Sequence, residues 1–348
     1  MQKSALIAMS GGVDSSVSAA LMKQDGYDCA GAVMKLFPPN PLSKANAVED
    51  ATAVAEKLGI PIHVCDFSDS FKKIVIASFI KDYEGGRTPN PCVVCNKNLK
   101  FGELLNKAHE LDRFHIVTGH YVRTECDANG RYLLKMGTDP TRDQSYALYT
   151  LAQHQLKHTR FPLGNLTKVR VREIAHEIGL DNAQKGDSQD ICFIPDGDYV
   201  KYITENIDYT PKKGHFVDTD GNVLGTNKGI ISYTIGQRKG LGLAMPHPTY
   251  VLDIKPDDNT IVVGKNELLF KKTLTAKNIN LIAIDKITSP IKLQVKIRYT
   301  HKAQPATISQ TDDDTLHIEF DEPQRAITKG QAAVIYDSDL VIGGGTIV

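Results

Sequence analysis

A glycine-rich loop at residues 10–16 has the composition of an anion-binding site. Its sequence, SGGVDSS, follows a short apolar run and precedes a helical pattern. The two glycines let the backbone approach an anion closely, and hydroxyl groups and the free N–H groups of a helix N-terminus can bind it. Asp14 would repel a phosphate unless it binds Mg²⁺ or orients the loop, which favours a magnesium–nucleotide as the ligand. An ordinary glycine turn with a serine cap is the alternative.

Cysteine is the second residue type that could do chemistry here. The chain contains Cys29, Cys65, Cys92, Cys95, Cys126 and Cys192. The N-terminus runs into a strand-like segment without a signal-peptide core, so we expect reduced thiols, with any special pair catalytic or metal-binding. Cys29 and Cys65 lie in apolar runs and are predicted to be buried. For the Cys92–Cys95 pair taken alone, structural zinc and redox chemistry are open alternatives.

The first half of the chain alternates strand-like and helix-like segments, which positions the glycine-rich loop. Predicted strands cover residues 5–9, 29–34, 60–65 and 114–118, with a helix after the first strand and another at residues 45–58. This alternation predicts an α/β domain over residues 1–205, with a parallel sheet covered by helices on both faces. Ligands of such sheets bind beyond the carboxyl ends of the strands.

After residue 205 the pattern changes to short runs rich in Val, Ile, Thr and Tyr. Turn sequences at residues 218–221, 257–259 and 311–314 separate such runs, which predicts hairpins. We therefore expect a small β-rich central domain at residues 206–268 and a C-terminal β-barrel at residues 269–348.

Composition excludes several classes of protein. The 348 residues, 41% hydrophobic and 24% charged, are ordinary for two or three globular domains and exclude wholesale disorder. No run is long enough for a membrane span, so we expect a cytoplasmic protein without membrane contact. Because 41 basic and 41 acidic residues balance, any nucleic-acid contact must be local. Residues 87–100, 157–172 and 292–302 are locally basic.

The glycine-rich loop resembles that of the PP-loop ATP pyrophosphatases, which release pyrophosphate and leave an adenylate on the substrate. Six later segments resemble, in order, the tRNA-specific 2-thiouridylases: GRTPNP at 86–91, CVVCNK at 92–97, TGHY at 118–121, DQSY at 143–146, DICFI at 190–194 and GQRKGLG at 236–242. The match runs nearly end to end. The resemblance implies an ATP-dependent sulfurtransferase that adenylates the 2-oxo group of the wobble uridine and gives 2-thiouridine, AMP and pyrophosphate.

The resemblance also implies binding residues. Those for ATP are Ala8, Met9, Ser10, Gly11, Gly12, Val13, Asp14 and Ser15, with Met34 and Gly119 lining the adenosine pocket. Those for tRNA are Asn90, Pro91, Cys92, His120, Arg142, Asp143, Gln144, Arg298, Tyr299 and Gln331, the first three facing the target base. ATP and Mg²⁺ are the implied cofactors, and the implied substrates are the tRNAs for Lys, Glu and Gln.

Three cysteines carry the implied chemistry. Cys95 and Cys192 match the catalytic positions of the family, where Cys192 would carry a persulfide from a sulfur-relay donor or cysteine desulfurase and Cys95 would act as nucleophile. Cys92 stands where some relatives carry Asp, so the acid–base role proposed for that Asp cannot simply be assigned here. Cys92, Cys95 and Cys192 could instead hold a [4Fe–4S] cluster with one open iron. Both sulfur carriers stay open.

Two other functions compete with this hypothesis. One is a PP-loop amide ligase such as a GMP synthetase, against which the cysteines and the predicted barrel speak. The other is a non-catalytic tRNA-binding protein that retains ATP as a structural ligand. An intact glycine-rich loop and three cysteines argue against it.

Overall fold

The computed structural model describes residues 3–37, 47–180, 191–194, 196–206 and 210–348. Seventeen strands occur in this part of the chain: β1 Ser4–Ala8, β2 Asp28–Lys35, β3 Ile62–Asp66, β4 His115–Val117, β5 Val122–Cys126, β6 Tyr132–Met136, β7 Thr159–Arg160, β8 Gly214–Val217, β9 Val223–Asn227, β10 Tyr250–Lys255, β11 Thr260–Gly264, β12 Phe270–Leu281, β13 Ile291–Lys296, β14 Gln304–Asp312, β15 Thr315–Arg325, β16 Ala332–Asp337 and β17 Leu340–Ile347.

Nine α-helices occur among the described residues: α1 Val13–Gln24, α2 Ala47–Leu58, α3 Ser68–Ser70, α4 Ala77–Glu84, α5 Pro91–Cys95, α6 Leu104–Glu110, α7 Gln153–Lys157, α8 Lys168–Glu177 and α9 Tyr199–Asn206. Two π-helical segments, Phe71–Ile76 and Asn96–Glu103, connect α3 to α4 and α5 to α6. No helix in the described ranges is both long enough and apolar enough to cross a membrane.

The predicted parallel sheet is confirmed. Five strands pair in parallel in the order β3-β2-β1-β4-β7. Alternate residues of β1 pack on opposite faces: Ala5 and Ile7 contact the apolar faces of α1, α2 and α8, while Leu6 packs with residues of α6. Helices therefore cover both faces, and the carboxyl ends of β1, β2 and β4 lie along one edge.

The hairpins predicted after residue 205 are also confirmed. A four-stranded sheet in the order β10-β11-β8-β9 forms the middle of the chain, around a core that includes Phe216 and Val251. The last six strands pair in the order β12-β15-β14-β13-β16-β17, and β12 pairs with β17 as well. That second pairing closes the sheet into a barrel, which leaves no free edge among these six strands.

A hairpin formed by β5 and β6 joins the first domain to the barrel. Leu340 and Val341 of β17 pair with Lys135 and Leu134 of β6, which extends the barrel sheet to eight strands. The sequence analysis missed this hairpin, although Asn129 and Gly130 form a turn sequence between its strands, and it could not foresee the pairing with β17, about 200 residues away. One apolar cluster spans the junction, so the barrel and the first domain share a continuous core.

The helix that carries Cys92 and Cys95 continues into a π-helical segment whose wider turns change the usual backbone hydrogen bonds. Gln155 satisfies two carbonyl groups there, because its Nε2 donates to Lys97 O at 3.1 Å and to Phe101 O at 2.7 Å. Asn96 Nδ2 donates to Ala147 O at 3.2 Å. These buried bonds attach the cysteine-bearing helix to the segment at residues 145–157.

Candidate active site

The glycine-rich loop is held open by its own hydrogen bonds. Ser15 Oγ donates to Gly12 O at 3.0 Å and accepts from Ser10 N at 3.2 Å. Gly12 is the N-cap of α1, and Gly11 has a φ of 73°, a backbone conformation that favours glycine. The loop thus presents the amino end of α1 in a preformed turn, the geometry suited to an anion.

Two glycines allow other elements to approach the loop. A Cβ at Gly11 would lie 2.4 Å from Asp50 Cβ of α2. A Cβ at Gly119, just after β4, would lie 2.9 Å from the carbonyl carbon of Asp14 and 3.1 Å from Ser15 N. Any larger residue at position 119 would therefore displace the backbone of the loop.

The residues predicted to bind ATP converge at the carboxyl edge of the parallel sheet. Ala8 ends β1, Met34 lies near the end of β2, and Gly119 follows β4. Met9 is 3% exposed, and its N–H donates to Ala32 O at 2.8 Å. The structure thus brings these side chains to one edge, while their contact with a nucleotide stays a prediction.

Asp14 is engaged by two side chains of the protein. Lys168 Nζ lies 2.8 Å from both carboxylate oxygens, and Tyr121 donates its hydroxyl proton to Oδ1 at 2.7 Å. Sequence analysis placed Lys168 only in a locally basic window and missed this pairing. Because Lys168 neutralises Asp14, a carboxylate can stand beside a phosphate site without repelling the ligand. This arrangement fits the loop-orienting role predicted for Asp14, and its binding of Mg²⁺ stays a prediction.

Asn90 and Pro91 begin the cysteine-bearing helix α5 as its N-cap and first residue. Proline suits this position because its fixed φ is helical and its missing N–H needs no partner. Cys92 is exposed, whereas Cys95 is 8% exposed and packs into an apolar cluster with Phe193 and Ile194. Since these two residues directly follow Cys192, the cluster brings that cysteine's segment to α5.

The rings around Phe193 form an aromatic cluster. Phe193 meets Phe71 and Phe79 edge-on, with ring centroids 5.5 and 5.4 Å apart, and also meets Tyr202 at 5.2 Å. Such buried edge-to-face pairs fix ring positions as well as burying apolar area. The cluster is therefore the packing that positions Cys192.

Burial raises the pKa of both predicted catalytic thiols. Burial is the largest cause for Cys95, where Lys100 lowers the pKa and Cys92 raises it. For Cys192, burial followed by the neighbouring Cys92 and Cys95 raises the pKa to about 11, while Lys100 again opposes the shift. Surrounding protein atoms desolvate the Cys192 thiol, although the residue as a whole is exposed. Lys100, which sequence analysis did not single out, is thus a cation shared by both thiols.

The described residues contain no group of three or more His, Cys, Asp or Glu side chains arranged to hold a metal ion. Cys92, Cys95 and Cys192 all belong to the described part of the chain. The three thiols influence one another electrostatically, but among the described residues they are not arranged as a metal-holding group. The motif residue before Ile191, Asp190, lies outside the described residues.

Several residues predicted to bind tRNA lie where the first domain meets the barrel. Asp143 is 6% exposed and accepts a hydrogen bond from Ser145 Oγ at 2.8 Å, while Gln144 Oε1 accepts from Tyr121 N at 3.0 Å. Tyr299, which is 45% exposed, donates to Asp143 O at 3.1 Å. A cavity of about 380 Å³ opens here. It is lined by Pro140, Thr141, Asp143, Lys296, Tyr299, Thr300, His301, Lys302 and Ala303.

Three other predicted tRNA residues have partners within the protein. His120 is 9% exposed and shares a 2.7 Å hydrogen bond between Nδ1 and Thr118 Oγ1. Arg298 Nη1 donates to Arg325 O at 3.2 Å. Gln331 Nε2 donates to Thr88 O at 2.8 Å. Arg142 is half-buried beside Asp143. Their contacts with tRNA stay predictions.

Three protein families match successive parts of the chain. The tRNA methyl transferase HUP domain matches residues 3–196, the tRNA methyl transferase PRC-barrel domain matches residues 201–265, and the aminomethyltransferase β-barrel domain matches residues 271–347. The first match covers more than half of the chain.

Relatives at about half identity match along their whole length. A protein named tRNA-specific 2-thiouridylase MnmA from Clostridioides difficile (strain 630) is 51% identical over 100% of this chain and 98% of its own. One of the same name from Acetivibrio thermocellus is 48% identical over 99% of both chains. A solved 4-thiouridine synthetase–RNA complex with bound ATP aligns at a TM-score of 0.38 and 15% identity, over 59% of this chain and 50% of the other.

Because Asp14 and Lys168 form an ion pair, we expect substitutions at these two residues to have non-additive effects on the free energy of unfolding. The Lys168 side chain is 7% exposed and that of Asp14 31%, so breaking the pair leaves a partly buried charge. We expect Asp14→Asn or Lys168→Met to lower the free energy of unfolding by about 2 kcal/mol each, the range of a hydrogen bond to a charged group. The double variant is expected to lose clearly less than the sum. Urea unfolding of the parent, the two single variants and the double variant measures this coupling.

The exposed pair of Arg170 and Glu177 on α8 is the matched control. Arg170→Met is expected to change the free energy of unfolding by less than about 1 kcal/mol, because solvent screens this pair. Additive losses for Asp14→Asn and Lys168→Met would contradict the coupling.

The raised pKa of Cys192 predicts slow alkylation at neutral pH. Only the thiolate reacts with iodoacetamide, and a pKa of about 11 leaves about one hundredth of the thiolate that an ordinary cysteine has at pH 8. We expect the alkylation rate of Cys192, measured by mass spectrometry, to rise through pH 10. Lys100→Met should slow it further at fixed pH, whereas the control Lys97→Met should not. A rate that levels off near pH 8.5 would refute the assignment.

Proposed function

The chain belongs to the tRNA-specific 2-thiouridylase family and is a tRNA sulfurtransferase, and from this premise we propose how its residues carry out the reaction. The glycine-rich loop binds ATP, and the 2-oxo oxygen of the wobble uridine attacks the α-phosphorus, releasing pyrophosphate. Sulfur then attacks C2, and AMP leaves with the former oxygen. Adenylation is needed because oxide is a poor leaving group.

The observation that carries this proposal is a chain of contacts between the glycine-rich loop and the cysteine thiols. Gly119 packs on the backbone of Asp14 in the glycine-rich loop. The next residue, His120, has its ring 5.8 Å from that of Phe101, the neighbour of Lys100. Burial raises the pKa of Cys95 and Cys192 and lowers that of His120, and Lys100 opposes the first two shifts and adds to the third, so it is a charged neighbour of all three. An adenylated base held at the loop would therefore lie on the same side of the sheet as the thiols.

In the proposed sulfur transfer, Cys192 carries a persulfide supplied by a sulfur-relay donor or cysteine desulfurase. The outer sulfur of this persulfide bonds to C2 of the adenylated uridine. The Cys95 thiolate then attacks Cys192 Sγ, which releases the 2-thiouridine and leaves a Cys95–Cys192 disulfide. An external dithiol returns both cysteines to thiols. Cys95 and the residues that follow Cys192 pack in one apolar cluster, which supports formation of this disulfide.

We propose that Mg²⁺ arrives with the ATP phosphates, since both carboxylate oxygens of Asp14 already face Lys168. No step is assigned to an iron–sulfur cluster, because the three thiols do not form a metal-holding group in this arrangement. The substrates proposed from the family resemblance are the tRNAs for Lys, Glu and Gln.

The nucleotide products test the proposed adenylation. We expect ATP to give AMP and pyrophosphate, dependent on substrate tRNA and not on a nitrogen donor. Asp14→Ala should abolish AMP formation while tRNA affinity stays nearly unchanged, since the loop faces the nucleotide. Product chromatography with labelled ATP measures the first effect, and fluorescence anisotropy with labelled tRNA the second. Formation of ADP, or AMP that requires ammonia or glutamine, would overturn the proposal.

Cys92→Ser distinguishes the two sulfur carriers. Under the persulfide scheme, Cys92→Ser should thiolate tRNA from a persulfide donor nearly as well as the parent, while Cys95→Ser and Cys192→Ser should not. A cluster needs all three thiolates, since a serine oxygen is a harder ligand for iron. If anaerobically reconstituted parent protein binds iron and thiolates tRNA with sulfide, and Cys92→Ser loses both, the persulfide scheme is wrong.

A further inference from the structure

The segment at residues 236–242, here called the basic loop, has no role in the function described so far. Gly236, Gly240 and Gly242 have φ values of 84°, 79° and 70°. Three left-handed residues within seven fix an unusual backbone course that glycine allows without strain. Between them, Arg238 and Lys239 are exposed to solvent.

The basic loop is pre-organised by one side chain and one apolar anchor. Gln237 Oε1 accepts from Thr234 N, and Gln237 Nε2 donates to Lys239 O, both at 3.0 Å. Leu241 is 8% exposed and packs into the core of the middle domain. Gly236 N donates to Val251 O at 2.8 Å. The loop therefore holds its two basic side chains in place before any ligand arrives.

Acidic residues are absent from the sequence next to these charges, and no described acidic side chain pairs with them. The sequence contains no Asp or Glu from residue 221 to residue 252. Within the described ranges, neither Arg238 nor Lys239 takes part in an ion pair. Two adjacent like charges on a rigid loop repel one another, so the arrangement suits an anionic partner.

The basic loop lies where the middle domain meets the barrel and the aromatic cluster. A Cβ at Gly236 would lie 3.0 Å from Ala326 Cβ and 3.6 Å from Arg325 Nη1. Arg325 in turn stacks over the Tyr250 ring at 5.4 Å, and its carbonyl accepts the hydrogen bond from Arg298. The loop is thus continuous with the barrel surface that is predicted to contact tRNA.

The other side of the basic loop leads to the cysteines. Ile231 belongs to the same apolar cluster as Cys95 and Phe193. Thr234 is hydrogen-bonded to the side chain of Tyr199, whose ring stacks on Tyr83 with centroids 4.4 Å apart. A polyanion that reaches both the barrel and the cysteines would therefore pass beside the loop.

We infer that Arg238 and Lys239 bind the sugar–phosphate backbone of tRNA, which makes the middle domain a third part of the RNA-binding surface. The inference rests on the proposed function. Phosphate contacts position an RNA without reading its bases. The loop should therefore contribute equally to the binding of substrate and non-substrate tRNA.

The test compares tRNA affinity across a salt titration. We expect Arg238→Ala/Lys239→Ala to flatten the slope of log K against log salt by about one to two units. The corresponding loss of affinity at 0.1 M salt is about 8-fold for one phosphate contact and about 60-fold for two. The KM for tRNA should rise while AMP formation at saturating tRNA stays unchanged. The exchange Arg238→Lys/Lys239→Arg should behave as the parent.

Lys212→Ala/Lys213→Ala is the matched control, because it removes two adjacent exposed charges from the same domain. An equal loss in this control, or an unchanged salt slope in the basic-loop variant, would overturn the inference. Parent-like tRNA binding with impaired transfer from a protein sulfur donor would assign the loop to that donor and also overturn it. If the parent forms no AMP with tRNA, the proposed function fails. The salt titration still tests whether the basic loop binds tRNA, because it does not depend on AMP formation.

Discussion

Two carbonyl groups just ahead of the cysteine-bearing helix are held by a single amide of the barrel. Gln331 Nε2 contacts Thr88 O at 2.8 Å and Pro89 O at 3.4 Å. Thr88 N donates to Lys329 O at 2.8 Å, and a Cβ at Gly330 would lie 2.9 Å from Thr88 O. The start of α5, and with it Cys92 and Cys95, is therefore placed by an element about 240 residues away in sequence.

The middle domain constrains the same segment from another side. A Cβ at Gly86 would lie 2.9 Å from Ile254 Cγ2 of β10, and Ile231 completes the apolar cluster around Cys95. The loop at residues 86–90, ahead of α5, is too short to fix the position of the cysteines by its own contacts. Contacts from all three domains therefore position the segment that carries the cysteines.

The formal net charge of the protein is zero, so its electrostatic effects arise from a few charged groups at separate sites. At the glycine-rich loop, Lys168 offsets Asp14 and keeps a carboxylate compatible with phosphate binding. At the cysteines, burial raises the pKa of both thiols and so favours their protonated form, which is a weak nucleophile. The proposed sulfur transfer requires loss of that proton, and Lys100 is the cation that favours it. At the basic loop, Arg238 and Lys239 form no ion pair with the part of the chain that the structure describes.

The sequence by itself determined the fold class and the residue types at the centre. The roles of the three cysteines were implied only by the family resemblance, whereas strand–helix alternation predicted the parallel sheet, turn residues predicted the hairpins, and the SGGVDSS loop predicted an anion-binding site. These signals are local, because they depend on backbone propensities and on spacing within one element. Only the tertiary structure paired Lys168 with Asp14, brought the charge of Lys100 near both thiols, joined the β5–β6 hairpin to the barrel and anchored Thr88 with Gln331. Each of these relations joins residues that no periodicity links, since packing of separate elements creates them.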